Sequence, residues 1–121
     1  MLNKKLSDSE FEIMKIVWNN AIPITSSTIF KIINPVTDWK MSTINTLLKR
    51  LENKGFIKSK KEGKEREYYP VVKGDEYISF ETKRFLKQYH NNSLNSFFQQ
   101  LYRNDNLSDE ELQDLYKKLD D

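Results

Sequence analysis

The sequence contains no cysteine and only one histidine, His90, among its 121 residues. Without cysteine the chain forms no disulfide, no thiolate metal site and no cysteine nucleophile, which is compatible with a reducing compartment. A metal site would need several converging nitrogen or carboxylate ligands, and none is spaced suitably around His90. We therefore predict no metal and no cofactor, and we expect His90 to be a surface residue near a helix end.

Glycine and long apolar runs are also scarce. Three glycines are too few for a glycine-rich phosphate-binding loop, and no nucleophile–base pair is recognisable, so we expect no enzymatic activity. No apolar run approaches the roughly 18 residues that span a membrane, and the polar residues 1–9 do not resemble a signal peptide. We expect a cytoplasmic protein without membrane insertion.

Positive charge is concentrated in the first part of the chain. Residues 1–74 hold 14 Lys and Arg against 8 Asp and Glu, a net charge of +6. Residues 75–121 hold 6 against 10, a net charge of −4, so the overall charge of +2 hides the asymmetry. A basic part followed by an acidic part indicates that the first binds a polyanion and the second has another task.

Capping signals and hydrophobic spacing predict three helices in the basic part. The capping box Ser7–Glu10 marks the start of the first helix. Thr25 or Ser26 can cap a short second helix, and Pro35 should end it by excluding the preceding residue from helical geometry. The third helix, from about residue 41 to residue 54, carries one apolar face, formed by Ile44, Leu47, Leu48 and Leu51.

A β-hairpin should follow the third helix. Gly55 is placed to stop the helix, and residues 56–61 and 65–72 are rich in β-branched and aromatic side chains around a Glu62-Gly63-Lys64 turn. Pro70 predicts that the second strand is an edge strand or frays there. Three helices followed by a two-stranded hairpin is the element order of a winged helix-turn-helix.

The side chains opposite the apolar face of the third helix suit a DNA major groove. Short polar groups can reach base edges, and Arg or Lys can reach guanine or phosphate; these residues are Ser42, Thr43, Asn45, Thr46, Lys49 and Arg50. The hairpin adds cations suited to the flanking backbone, namely Lys58, Lys60, Lys61, Lys64 and Arg66. We therefore predict a winged-helix domain over residues 1–73 that binds double-stranded DNA.

The remainder, residues 74–121, is predicted to be helical, with a break at Asn91-Asn92 and a capping box from Ser108 to Glu111. Its apolar side chains are numerous for a helical tail, so they either fold back on the winged helix or meet a second subunit. We favour a homodimer formed by Tyr77, Phe85, Tyr89, Leu94, Phe97, Phe98, Leu101, Leu112, Leu115 and Leu119. The predicted fold class is mainly α with a small β-hairpin wing, followed by a C-terminal helical dimerisation region.

Three stretches resemble the penicillinase-repressor (BlaI/MecI) family. Residues 39–51 with 54–57 resemble its recognition helix and wing start, residues 6–18 resemble its first helix, and residues 106–112 resemble its C-terminal helix. The resemblance implies a homodimer that binds an operator dyad and represses transcription in antibiotic-resistance regulation. It also implies release through cleavage triggered by a membrane sensor protease, at a bond near Gln100–Leu101, where the family usually has Asn-Phe.

The chain departs from the family's pattern in the third helix. Lys40-Met41 stands where members often carry Ser-Pro, Ser42 where they often carry Lys, and Asn45 where they often carry Arg. Asn45 favours adenine over guanine, so we expect a different operator sequence.

A second function, from a different class, stays open at this point. The chain could be a winged-helix protein–protein adaptor without sequence-specific DNA binding, whose basic face only keeps it in solution. A salt titration with duplex DNA separates the two, because phosphate binding weakens steeply with salt.

Overall fold

A computed structural model describes residues 4–103 and 108–119, apart from the side chain of Leu119. The chain divides into two compact units, Met1–Phe80 and Glu81–Asp121. The elements are, in chain order, α1 (Asp8–Trp18), β1 (Ile24–Thr25), α2 (Ser26–Ile33), α3 (Met41–Asn53), β2 (Ile57–Glu62), β3 (Glu65–Pro70), α4 (Gly74–His90), α5 (Leu94–Arg103) and α6 (Asp109–Leu119).

The predicted starts of α1 and α2 are confirmed. The Ser7 hydroxyl accepts a hydrogen bond from the Glu10 N–H at 3.2 Å, and the Glu10 carboxylate accepts one from the Ser7 N–H at 2.8 Å. The Thr25 hydroxyl caps α2 by accepting from the Thr28 N–H at 3.3 Å. Each cap satisfies backbone donors that the first helical turn leaves without a partner.

α2 ends before Pro35 as predicted, but for a different reason from the one expected. Asn34, directly before Pro35, keeps right-handed helical geometry with φ −56° and ψ −40°. The helix stops because proline has no N–H to donate. The N–H groups of Val36 and Thr37 turn instead to the Ile33 carbonyl, at 3.0 and 2.9 Å.

Three antiparallel strands form the sheet, in the order β1-β3-β2. The sequence predicted only the β2–β3 hairpin, since a two-residue strand has no recognisable period. β1 pairs Ile24 with Tyr68 and Thr25 with Glu67, so β3 is the central strand. The predicted edge strand is therefore wrong for β3 as a whole, whereas the alternative, an end of the strand at Pro70, agrees with the structure: Pro70 is the last residue of β3, and it pairs with Ile57 but not with β1.

Two glycines take left-handed backbone at the turns that shape the hairpin. Gly55 ends α3 with φ +82°, its N–H donates to Glu52 and the Phe56 N–H donates to Leu51, which is the Schellman arrangement. Gly63 has φ +65° and is the first of the two turn residues, where a type II′ turn favours glycine.

The core of the first unit lies between α1, α2, α3 and the sheet. All four residues of the predicted apolar face of α3 are at most 4% exposed. The buried hydrophobic residues are Leu6, Ile13, Met14, Val17, Ile24, Ile29, Ile33, Ile44, Leu47, Leu48, Leu51, Phe56, Ile57, Tyr68 and Tyr77.

The first unit extends past the predicted boundary at residue 73, because the start of α4 packs into its core. Tyr77 is only 3% exposed, its hydroxyl accepts a hydrogen bond from the Leu6 N–H at 2.8 Å, and its ring lies 5.5 Å from that of Phe56. Tyr77 was predicted to form the dimer, and this is corrected: it is a core residue of the winged helix. Phe80 packs beside it, with the ring centroids 6.1 Å apart.

The second unit contains the rest of α4, α5 and α6. The predicted break at Asn91-Asn92 is confirmed by positive φ values of 50° and 62°, which asparagine tolerates better than most residues. The Ser108 cap of α6 is also confirmed, because its hydroxyl accepts from the Glu111 N–H at 3.1 Å. His90 ends α4 as predicted but is half-buried, with Nδ1 3.0 Å from the Ser96 hydroxyl.

Candidate nucleic-acid interface

α3 presents its polar side to solvent because its apolar side is anchored in the core. The six polar and cationic residues predicted on α3 are all exposed. Asn53, one turn beyond Lys49, lies on the same face and is also exposed; the helical period could have identified it. Lys40, the N-cap residue, makes no side-chain hydrogen bond to the helix, as expected from the missing Ser-Pro.

Intrahelical bonding decides what Thr46 can offer a base. Its hydroxyl donates to the Ser42 carbonyl at 2.9 Å. The hydroxyl hydrogen is therefore occupied, which leaves the oxygen lone pairs and the methyl group for an outside partner. Thr46 suits a thymine methyl or a donor group rather than an acceptor.

The pairing register divides the cations of the wing, β2 and β3, between two faces. Because strand side chains alternate, Lys61 and Arg66 share the face of Ser59 and the buried Tyr68, and they stand directly opposite each other. Lys58 and Lys60 belong to the other face. From the sequence these cations were predicted to act as one group, and only the pairing register shows that they lie on two different faces of the sheet.

Lys60 is the cation on this second face with acidic neighbours. It pairs with Glu67 across the ladder, and its Nζ atom lies 2.8 Å from a carboxylate oxygen of Glu62. A cation that already has a carboxylate partner is less available to a phosphate than one beside another cation.

A depression between α3 and the wing brings the two predicted groups together. It is lined by Ser26, Asn45, Lys49, Glu52, Asn53, Lys64, Glu65, Arg66 and Tyr68. Five of these residues were not predicted to contact DNA, and two of the five are acidic, Glu52 and Glu65. Burial and the nearby charge of Glu52 raise the pKa of Tyr68, and the charge of Arg66 opposes this effect.

A second cleft lies on the other side of α3, against the start of α1. It contains predicted residues together with Ser7 and Ser9, which were not predicted to contact DNA, and it is lined by Ser7, Ser9, Trp39, Ser42, Thr43, Thr46, Leu47 and Arg50. Only the packing of α1 beside α3 reveals that the serines belong to this surface.

Comparison with known proteins identifies the family to which this architecture belongs. The family model described as "Penicillinase repressor" matches residues 6–121. The chain belongs to the penicillinase-repressor family. The resemblance inferred from the sequence is thereby confirmed.

Named members of the penicillinase-repressor family cover nearly the whole chain. The penicillinase repressor of Bacillus licheniformis is 34% identical over 117 residues, which are 97% of this chain and 91% of that protein. The methicillin resistance regulatory protein MecI of Staphylococcus aureus is 31% identical over 111 residues, or 92% of this chain and 89% of the relative.

Two solved structures from this repressor family match the winged helix. One is the DNA-binding domain of the repressor BlaI, with a TM-score of 0.55 and 34% identity over 61% of this chain and 89% of that one. The other is monomeric Bacillus licheniformis BlaI in complex with the blaP half-operator, with a TM-score of 0.53 and 33% identity over 62% and 90% of the two chains. The predicted winged-helix fold is confirmed.

An ion pair joins the end of α3 to α1 within the winged helix. The Lys54 Nζ atom lies 2.6 Å from a carboxylate oxygen of Glu10, whose side chain is 2% exposed. Burial opposes ionisation of Glu10, but the hydrogen bonds from Lys54 and Ser7 and the charge of Lys54 outweigh it, so the pKa of Glu10 is lowered.

Within residues 4–103 and 108–119, no group of three or more His, Cys, Asp or Glu residues could hold a metal ion. Over the same residues, no helix is both long enough and apolar enough to cross a bilayer.

Proposed function

We propose that this chain is a dimeric, sequence-specific DNA-binding transcriptional repressor. One observation carries the proposal: the exposed polar face of α3 and the cationic face of the wing line one depression, in a chain of the penicillinase-repressor family. Affinity then comes mainly from phosphate contacts, and specificity comes from base edges in the major groove.

Each element has a distinct role in this proposal. α3 enters the major groove, where Asn45 can bind adenine through two hydrogen bonds and Thr46 can contact a thymine methyl. Lys49 and Arg50 reach guanine or phosphate. Lys61, Lys64 and Arg66 bind the flanking backbone, while Ser42 and Thr43 lie near the start of α3, whose free N–H groups suit a phosphate.

The exposed and half-buried apolar side chains of the second unit support the proposed homodimer. None of its described residues is buried. Phe85 is 40% exposed, Leu94 is 50% exposed and Tyr89 is 63% exposed. Five further predicted interface residues are half-buried, namely Phe97, Phe98, Leu101, Leu112 and Leu115, and the side chain of Leu119 lies outside the described part of the chain. Burying one such side chain contributes roughly 1.5–3 kcal/mol, so a second copy of this unit is the partner that we propose.

Dimerisation suits an operator with two half-sites. Once one winged helix is bound, the tethered second one binds as an intramolecular event at a high effective concentration. That a monomeric BlaI was solved on a half-operator supports the view that one winged helix contacts one half-site.

Release by proteolysis belongs to the same proposal. The bond between Gln100 and Leu101 lies inside α5, which ends at Arg103. A protease requires an extended segment, so cleavage there would first require the end of α5 to unwind. Because relatives are named for penicillinase and methicillin resistance, we propose a β-lactam-responsive sensor protease as the trigger and the bacterial cytoplasm as the site of action.

Selection of bound sequences from random duplex DNA tests the proposal. We expect a dyad motif with half-sites about one helical turn apart or a multiple of it. In the Asn45→Ala variant, affinity for the selected site should fall by about 1–3 kcal/mol while binding to random DNA persists. Absence of enrichment and of salt-dependent binding would instead favour the protein–protein adaptor.

A further inference from the structure

A chain of three side chains connects the wing to the end of α3. The Arg66 Nε–H donates to the Ser59 hydroxyl at 3.0 Å. The Ser59 hydroxyl in turn donates to the Glu52 carboxylate, with oxygen–oxygen distances of 3.0 and 3.1 Å. Ser59 has one hydroxyl hydrogen to donate, so the hydrogen bonds run in one direction, from Arg66 through Ser59 to Glu52. We call these three residues the relay.

This relay leaves the outer part of the guanidinium available. An arginine side chain carries five N–H donors in a rigid fork, and only the Nε–H is used by Ser59. The terminal nitrogens of Arg66 have no hydrogen-bond partner among the residues that the structure describes. They can bind a phosphate through two parallel hydrogen bonds.

The relay also opposes an unfavourable contact. Lys61 stands directly across the ladder from Arg66, and like charges in that position repel. Without a fixed partner for Nε, the Arg66 side chain would turn away from Lys61. Ser59 supplies that partner, and its own hydrogen bond to Glu52 orients the Ser59 hydroxyl.

A separate contact holds the same strand end against α2. The Ser27 hydroxyl donates to the carboxylate of Glu65, the neighbour of Arg66 on β3. The turn end of the wing is therefore connected to α2 through Glu65 and to α3 through Arg66, and Arg66 has a defined position relative to α3.

We propose that Glu52 and Ser59 are positioning residues for Arg66, which binds the backbone phosphate beside the bases contacted by α3. The proposal rests on the proposed function. Charge alone argues against a carboxylate at this place, because Glu52 lines the DNA-facing depression and repels phosphate. If Glu52 mainly positions Arg66, its loss should weaken DNA binding. If Glu52 mainly repels phosphate, its loss should strengthen DNA binding.

Duplex binding by the full-length chain at several salt concentrations tests the relay. Arg66→Ala should weaken binding and lower the salt slope by about one. Glu52→Ala and Ser59→Ala should each weaken binding by about threefold to tenfold, in the range of couplings between contacting residues. Glu52→Gln keeps an acceptor for Ser59 without the charge, so it should bind as tightly as the parent or more tightly.

Two controls make the result specific. Glu67→Ala removes a carboxylate from the opposite face of the sheet and should not weaken binding. In an Arg66→Ala background, Ser59→Ala should cause no further loss, because the residue through which it acts is gone. Urea unfolding of each variant verifies that the winged helix remains folded.

The outcomes distinguish the relay from the proposed function. If the parent chain shows no salt-dependent duplex binding, the proposed function fails and the relay with it. If the parent binds but Glu52→Ala binds equally well or better, if Glu52→Gln is as weak as Glu52→Ala, or if Arg66→Ala changes nothing, the relay is wrong and the proposed function stands.

Discussion

Glu10 shows how one residue can serve both a helix and the tertiary structure. Its carboxylate closes the capping box of α1 through the Ser7 N–H, and the same oxygen receives the Lys54 ammonium from the end of α3. A buried carboxylate is tolerated only when charge and hydrogen bonds compensate its desolvation. The two helix ends are thereby fixed to each other at one atom.

The lowered pKa of Glu10 predicts a pH dependence of stability. A carboxyl group whose pKa is lower in the folded state stabilises the fold fully above its unfolded pKa, about 4.3, and this contribution is lost as pH falls through the folded value. Glu10→Gln should lower the free energy of unfolding at pH 7 by about 1–3 kcal/mol. Below pH 4 the difference from the parent should shrink, because the parent's Glu10 also becomes neutral.

Urea unfolding at fixed protein concentration, at pH 7 and pH 3, measures this difference. Glu12→Gln is the matched control, because Glu12 forms an exposed ion pair with Lys15 at 2.8 Å, and such pairs contribute roughly 0–1 kcal/mol. A Glu10→Gln difference that stays constant between the two pH values would contradict the assignment.

At the scale of elements, the wing divides its cations between two faces. Its pairing register gives Lys61 and Arg66 the face that carries Ser59 and Tyr68, and gives Lys60 a carboxylate partner on the other. A strand's period of two means that a shift of one residue would exchange these faces. The Gly63 turn is therefore part of the candidate DNA interface, although Gly63 offers no side chain to DNA.

The two faces predict different effects for two neighbouring lysines. Lys61→Ala should weaken binding to all duplex sequences alike and lower the salt slope by about one, as the loss of one phosphate contact does. Lys60→Ala should have a smaller effect on both quantities. Fluorescence anisotropy with one labelled duplex at several salt concentrations compares them, and equal losses would show that the register does not decide which cations meet DNA.

At the scale of the whole molecule, the two units differ in their hydrophobic cores: the first unit has a buried core, and the described part of the second unit has none. The described residues of the first unit include 15 buried hydrophobic residues, whereas those of the second unit include none that is buried. An apolar surface of this kind is typical of a chain that associates. In our proposal, this association gives the two winged helices their joint affinity for a dyad.

Introducing a charge into that surface tests the role of the second unit. Phe98→Asp, or truncation after Gln100, should give monomers in sedimentation and weak binding to the full operator, while binding to a single half-site is retained. Val36→Asp is the control, since Val36 is an exposed apolar residue of the first unit, and it should remain dimeric. A truncated chain that stays dimeric, or binds the dyad as tightly as the intact one, would refute this account.

The sequence by itself determined what depends on local order along the chain. The Ser7 and Thr25 caps, the apolar face of α3, the Gly55 stop and the break at Asn91-Asn92 are set by neighbours a few residues away, and each was predictable. The polar face of α3 follows from the same period, because the side opposite a buried face is exposed.

Only the tertiary structure decided what depends on contacts between distant residues. β1 exists because β3 pairs with it, and Tyr77 joins the first core because its hydroxyl meets the Leu6 N–H, 71 residues away. Glu52 becomes a partner of Arg66 because the wing folds back against α3 through Ser59. A sequence pattern shows which face a residue occupies, but packing selects which residue of another element lies across from it.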